Sequence, residues 1–372
     1  MQYSPLSLVK HRVDVGAPLP FNVRNADRTL LLARGQVIRS MDQLNALFER
    51  GALVDLAELT TTDVVQMAQP KELPRLWKRC LNQLGDALRD SAHEGFREAL
   101  EAATPPVLAL VERDKDLAIF QVLRQEGNDW VQYGVAHSTH AAICAHLVAQ
   151  RMGWSDSDSQ RVFKATLTMN LSMLELQGQL AQQAAPPSAE QRAVIQAHPE
   201  QSRHLLELAG VADPEWLRAV EQHHENHDGS GYPKGLREVC DLAALVRRAD
   251  IYTAKLSPRK TREAMAADKA GRAMFMQDGG HPMTAALVKE FGVYPPGCWV
   301  KLANGEAGIV VRRGSTVMAP IVAVFVSPMG ATLAEPVRRD TAKPGHAVHT
   351  VLGAQARKLP VAPDVLVAMG AP

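Results

Sequence analysis

The stretch Glu221-Gln222-His223-His224-Glu225-Asn226-His227-Asp228-Gly229-Ser230-Gly231-Tyr232-Pro233-Lys234-Gly235-Leu236 sets two adjacent histidines, a glutamate, a third histidine and an aspartate directly ahead of a glycine-rich turn. Just upstream, Asp213-Pro214 reads as an N-cap followed by the first helical position. A helix is expected from there, carrying Trp216, Leu217, Val220 and His224 along one side and ending at His223 and His224. Imidazoles held at a rigid helix end beside a loop suit a d-block cation, which needs nitrogen ligands at fixed angles. Gly229, Ser230 and Gly231 let backbone approach a ligand, Tyr232 offers an aromatic face, and Pro233 stiffens the exit. A lone histidine is ordinarily a structural residue; a histidine pair running into D-G-S-G-Y-P is a more specific signal.

Outward from this stretch, the region from about 107 to 292 has almost wholly helical periodicity. One helix is expected over Ala136–Met152, stopping at Gly153. A second, capped by Ser155 and Asp156, is expected through Val162 to Leu180. Ser188-Ala189-Glu190-Gln191 is a capping box opening a short helix that should end at His198-Pro199, because the residue before proline is pushed out of helical geometry. Leu242–Leu256 forms a further helix with Asp250 in its apolar middle, a carboxylate that needs a metal or an arginine partner. Six candidate metal ligands therefore lie on helical sequence: His137, His140, His198, His223, His224 and Asp250. That is the layout of a metal site built inside a helical bundle.

The flanks differ. Residues 16–39 hold short apolar stretches separated by Asn25-Ala26-Asp27, followed by a capped helix from Ser40 to Gly51, which together predict a small β/α module over 1–60. Over 61–130, Leu76, Trp77, Leu81, Leu84 and Leu88 form a helical seam, and Thr104-Pro105-Pro106 is expected to end the region. The seam suits core packing, a linker or a homodimer contact. The helical domain is placed at 131–292. After Gly297 the pattern turns to strands, with a hairpin at Asn304-Gly305, and 293–372 is expected to form a small barrel-like β extension with a Pro-rich tail from about 353. The fold class is mainly α.

Lysine plus arginine (41) and aspartate plus glutamate (40) nearly cancel, leaving a net charge of +1 with no global basic field to suggest DNA. Cys80, Cys144, Cys240 and Cys298 are too dispersed for a zinc ribbon or a disulfide framework. There is no signal-peptide pattern and no apolar run long enough to span a membrane, so a cytoplasmic location is expected.

These motifs resemble the HD-GYP family, bacterial HD-type metal-dependent phosphohydrolases that cleave cyclic di-GMP. Tyr133–Ser138 is similar to the family's Y-x-x-x-H-S start, Ala197-His198-Pro199 to its middle H-P, and His223-His224-Glu225 with Asp228-Gly229-Ser230-Gly231-Tyr232-Pro233 to its H-H-E and D-G-x-G-Y-P signature. Arg248-Ala249-Asp250 loosely resembles its R-x-x-D segment. The resemblance makes His137, His198, His223, His224 and Asp250 metal positions. Arg259 and Arg262 become phosphate-holding residues, and Asp228, Gly231, Tyr232 and Pro233 a ligand-binding loop. His140 and His227 are candidate substitute ligands.

The departure is Met169-Asn170-Leu171-Ser172-Met173, standing where the family has H-D-x-G-K. A thioether does not replace imidazole for iron or manganese, and a carboxamide carries no charge with which to bridge two cations. The expectation is a degenerate, catalytically impaired member. It would hold one divalent metal (iron, manganese, zinc or nickel) or none, and bind cyclic di-GMP, a related cyclic dinucleotide or a protein partner at the G-Y-P loop. Two alternatives stay open: an active phosphodiesterase with a rearranged metal site, and a non-catalytic adaptor.

Overall fold

The computed structural model describes residues 3–370 apart from 8–9, 11–12, 14, 20, 56–61, 93–94, 124–131 and 354–362. The expected boundaries at 60/61 and 130/131 fall outside the described residues. The chain divides into two compact units, Met1–Gln83 and Leu84–Pro372.

In the first unit, β1 (Tyr3–Pro5), β2 (Val23–Arg24), β3 (Leu30–Leu32) and β4 (Leu53–Asp55) form an antiparallel sheet in the order β1-β4-β2-β3. Helix α1 (Met41–Glu49) is capped by the Ser40 side chain, which accepts from the Gln43 amide. Leu44 and Leu47 of α1 join Phe21, Val23, Ile38 and Val54 in one apolar core. α2 (Thr62–Met67) follows, and α3 (Leu73–Arg89), whose residues from Leu84 onward belong to the second unit, carries the leucine seam, with Leu76, Trp77, Leu84 and Leu88 buried.

The second unit is a helical bundle. It comprises α4 (Phe96–Arg113), α5 (Lys115–Leu123), α6 (Tyr133–Arg151), α7 (Asp156–Thr168), α8 (Leu174–Gln182), α9 (Ala189–Leu208), α10 (Pro214–Gln222), α11 (Asp241–Leu256), α12 (Ala267–Gln277) and α13 (Pro282–Phe291). α6 lies at its centre, against α5, α7, α8, α11 and α13. Its alanines permit such crowding, and Gly134 is the tightest point. A Cβ there would stand 2.3 Å from the Leu174 carbonyl oxygen, so α8 begins where it does only because residue 134 has no side chain.

Proline is tolerated where termination was expected, for two different reasons. Pro105 and Pro106 lie inside α4, and Glu101 and Ala102, whose carbonyls lose their amide partners, sit on the exposed face where solvent reaches them. Pro199 lies inside α9, which continues to Leu208. The Ile195 carbonyl that Pro199 cannot bond is taken instead by the His198 side chain, Nδ1 to oxygen 2.6 Å. Conversely, the helix expected to run through Val162 to Leu180 breaks after Thr168, and Leu171–Met173 form a 3-10 turn before α8.

The C-terminal extension is not a barrel. β5 (Trp299–Leu302), β6 (Ala307–Arg312), β7 (Ile321–Val326), β8 (Thr332–Asp340) and β9 (Val348–Val351) make one open antiparallel sheet in the order β8-β7-β6-β5-β9. Closure would require β8 to pair with β9. β8 is instead a protected edge: Glu335, Arg338 and Arg339 line it, and Pro336, which has no amide to donate, lies where its register with β7 breaks. The hairpin expected at Asn304-Gly305 joins β5 and β6. α14 (Pro363–Gly370) packs beside β6 and β7.

Candidate metal centre

His198 and His223 come from different helices, yet they are oriented by the same device. Each donates from Nδ1 to a backbone carbonyl lacking a helical partner. For His198 it is the Ile195 carbonyl released by Pro199; for His223, the C-cap of α10, it is the Val220 carbonyl in the last helical turn, at 2.6 Å. With Nδ1 committed as a donor, each ring presents the Nε2 lone pair, and the two Nε2 atoms lie 3.1 Å apart. Two lone pairs at that separation repel unless a cation stands between or beside them. Burial lowers the pKa of His198 to about 3 and lowers that of His223, so a proton is a poor candidate for that cation near neutral pH. His224 completes the group: the ligand atoms of His198, His223 and His224 all fall within 4.8 Å of one another. Burial, then the neighbouring His223, also depresses His224 well below the usual range. Three neutral imidazoles facing one point form a set able to coordinate a divalent metal.

His137 and Asp250 make a second group. His137 Nε2 lies 2.7 Å from Asp250 Oδ1, and His137 Nδ1 is buried without a hydrogen-bond partner among the described residues. Burial pushes the Asp250 carboxyl up, but its hydrogen bond to His137 outweighs this and holds the group low. Five of the six candidate ligands thus gather into a triad and a pair. Tyr133 stacks on His137 with rings 2° from parallel, and its hydroxyl receives Arg259 Nε at 3.4 Å, which ties the exposed Arg259 to the pair. Arg262, also exposed, donates to the Ala254 carbonyl. Of the substitutes, His140 is buried, with its pKa lowered by burial to about 4. His227 is exposed and faces the Arg237 carbonyl at 3.3 Å.

The loop after His224 folds back onto the triad. The Tyr232 amide donates to the His224 carbonyl at 3.2 Å, and the two rings stack with centroids 4.6 Å apart. The Tyr232-Pro233 bond is cis. Gly231 passes so near the preceding backbone that a Cβ would stand 2.4 Å from Glu225 Cα. Asp228 is exposed and closes the turn by accepting from the Ser230 amide and hydroxyl at 2.9 and 2.6 Å. The staple is Glu225, only 2% exposed, whose two oxygens accept from the Lys234 and Leu236 amides at 2.7 and 2.9 Å. Sequence reasoning assigned Glu225 no role beyond its place in H-H-E, because its partners are main-chain groups and leave no residue-type signal.

Residues 121–279 match the HD domain family. The cyclic di-GMP phosphodiesterase PA4108 of Pseudomonas aeruginosa is 26% identical over 217 residues, 56% of this chain and 51% of that protein. The 3'3'-cGAMP-specific phosphodiesterase 3 of Vibrio cholerae is 27% identical over 140 residues, 37% of this chain and 30% of that protein. The chain therefore spans about half or less of the length of these relatives. Among solved structures, Bd1817, a HDG"Y"P protein from Bdellovibrio bacteriovorus, superposes with a TM-score of 0.52 at 17% identity, covering 77% of this chain and 98% of that one, a likeness of fold alone. The HD segment is homologous to HD-type cyclic-dinucleotide phosphodiesterases.

Within the HD segment, residues 169–173 form the break between α7 and α8. Met169 is fully buried, Asn170 and Met173 are buried, and Asn170 Oδ1 has no hydrogen-bond partner among the described residues. Ser172 fastens this break to α9, its hydroxyl 3.0 Å from Ser202 Oγ and 3.2 Å from the His198 carbonyl. Among the described residues no helix is long and apolar enough to cross a membrane.

Proposed function

We propose that this chain acts in bacterial cyclic-dinucleotide signalling as a catalytically impaired HD-type protein. It binds one divalent cation through His198, His223 and His224, and cyclic di-GMP or a close relative beside it. The observation that carries the reading is an asymmetry. The triad is assembled, with His198 and His223 oriented by carbonyls dedicated to them, whereas residues 169 and 170 supply a buried thioether and an uncharged carboxamide. Two dications about 4 Å apart repel by about 17 kcal/mol at an effective dielectric of 20, so a paired centre needs bridging negative charge that Asn170 does not carry. The triad fits a single ion because its lone pairs converge and its imidazoles stay neutral. A bound ion would supply positive charge to one phosphodiester oxygen. The chain's own part is recognition: Tyr232 offers a ring face beside the triad, and Arg259 and Arg262 offer exposed guanidinium groups for charge-assisted bonds to phosphate. The relatives' names support cyclic dinucleotides as the ligand class.

The test combines three measurements on protein purified without chelator. Elemental analysis is expected to give one metal per chain. Calorimetry with cyclic di-GMP is expected to show binding that His223→Ala weakens, and chromatography after long incubation to show no linear product. Two metals per chain, or turnover lost in His223→Ala, would establish the active enzyme instead. No binding with or without metal would leave a protein partner at the loop.

A further inference from the structure

A cleft of about 550 Å³ opens on the outer side of the 226–230 loop, walled by that loop, by α11 and by α12. Neither the histidine triad nor Arg259 and Arg262 line it. Its floor carries Arg247 and Arg248, which differ in one respect. Arg248 is committed: Nε faces Asp278 Oδ2 at 3.3 Å, and one terminal nitrogen donates to the Ala244 carbonyl at 2.9 Å. Arg247 has no hydrogen bond or ion pair with any described residue, and its Nε is buried. The two carboxylates of the cleft make neither a hydrogen bond nor an ion pair with it: Asp228 accepts from Ser230, and Asp278 from Arg248 and Thr284. A half-buried guanidinium with no hydrogen-bonded partner among the described residues is costly to fold around.

We propose that this cleft is a binding site for a phosphorylated small molecule, with Arg247 as its anion-holding residue. A guanidinium with free donors matches phosphoryl oxygens in a forked geometry. Asn226 and Ser230 supply neutral polar groups on the loop wall, and Ile251 with Met274 forms an apolar face for a base or sugar. The volume falls in the range of small-molecule pockets and exceeds what inorganic phosphate needs.

The site is independent of the metal reading, and its test is run with metal removed. Calorimetry of the full chain in chelator uses inorganic phosphate and guanosine 5'-monophosphate as probes, with near-ultraviolet circular dichroism confirming the fold of each variant. Wild type and His223→Ala should bind the nucleotide equally, and Arg247→Ala should lose at least about tenfold in affinity, with Arg247→Lys intermediate. Gln277→Glu, an exposed change on the far wall, should also weaken it by about fivefold or more through repulsion. Tighter binding of the nucleotide than of phosphate supports the apolar face. Absence of nucleotide binding in chelator, or equal affinity in wild type, Arg247→Ala and Gln277→Glu, overturns the proposal.

Discussion

At the scale of single residues, the metal centre depends on atoms that are missing as much as on those present. Pro199 lacks an amide, and so the Ile195 carbonyl is free to fix His198. Gly231 lacks a Cβ, and so the loop can lie against the backbone of His224, Glu225 and Asn226, where a Cβ would meet three main-chain atoms at 2.4 to 2.5 Å. No rotamer change relieves contacts with backbone, so Gly231→Ala must lift the loop and take the Tyr232 ring off His224. Overpacking of this kind costs about 1–3 kcal/mol, and cyclic di-GMP affinity should fall with it by about tenfold or more. Thermal denaturation together with calorimetry checks both effects; an unshifted midpoint with unchanged affinity would mean that the loop has room it is not seen to have.

At the scale of elements, proline was read from sequence as a stop signal, and twice a helix continued through it. The rule concerns the lost hydrogen bond, and the outcome depends on whether the orphaned carbonyl finds another donor, in solvent for α4 and in the His198 side chain for α9. The β5–β6 hairpin was legible because Asn304-Gly305 is a local turn signal, but its lock lies 33 residues away. Arg339 of β8 clasps both Glu306 oxygens at 2.8 and 2.7 Å, and Asn304 adds a third bond at 2.9 Å. The Arg339 bond, more than the opposing burial, lowers the Glu306 pKa from 4.5 to about 2. A carboxyl depressed in the folded state contributes stability above its unfolded value and loses it as pH falls through the folded one. The loss should run from about pH 4.5 down to pH 2 and amount to no more than about 3 kcal/mol. Glu306→Gln should be less stable than wild type at pH 7 and converge with it toward pH 2. Urea unfolding followed by tryptophan fluorescence at several pH values reads this directly, and a constant gap between the two proteins across the window would contradict it.

At the scale of the whole molecule, periodicity revealed a helical centre between two β-containing flanks, and the motif stretch supplied two histidines of the triad, with His198 coming from the separate His198-Pro199 motif. What escaped were features set by pairing between distant segments. Whether β8 meets β9 is decided by edge residues such as Pro336 and the charges around it, so the strands could be recognised but not their closure. The direct bond between His137 and Asp250 likewise follows from how α6 and α11 approach, which spacing along the chain does not encode. The joint between the open sheet and the bundle is of the same kind. Arg313, just after β6, pairs through Nε with Asp116 of α5, and one terminal nitrogen reaches the carbonyl and a carboxylate oxygen of Glu290 in α13 at 3.0 and 3.1 Å. Asp116 and Glu290 are 13% and 7% exposed, so deleting the guanidinium removes the close counter-charge of two largely buried carboxylates, of which Glu290 keeps Arg151 and Asp116 keeps the main-chain amide of residue 313 at 3.1 Å and the more distant Arg312. Removing one partner of such a buried group costs about 3 kcal/mol or more, mainly through the charge left behind. Arg313→Ala should therefore lower the urea midpoint strongly, and adding Asp116→Asn should recover part of the loss, because the stranded charge is then gone. A double variant no more stable than Arg313→Ala would show that the joint depends on the arginine's packing against the helices and not on its charge.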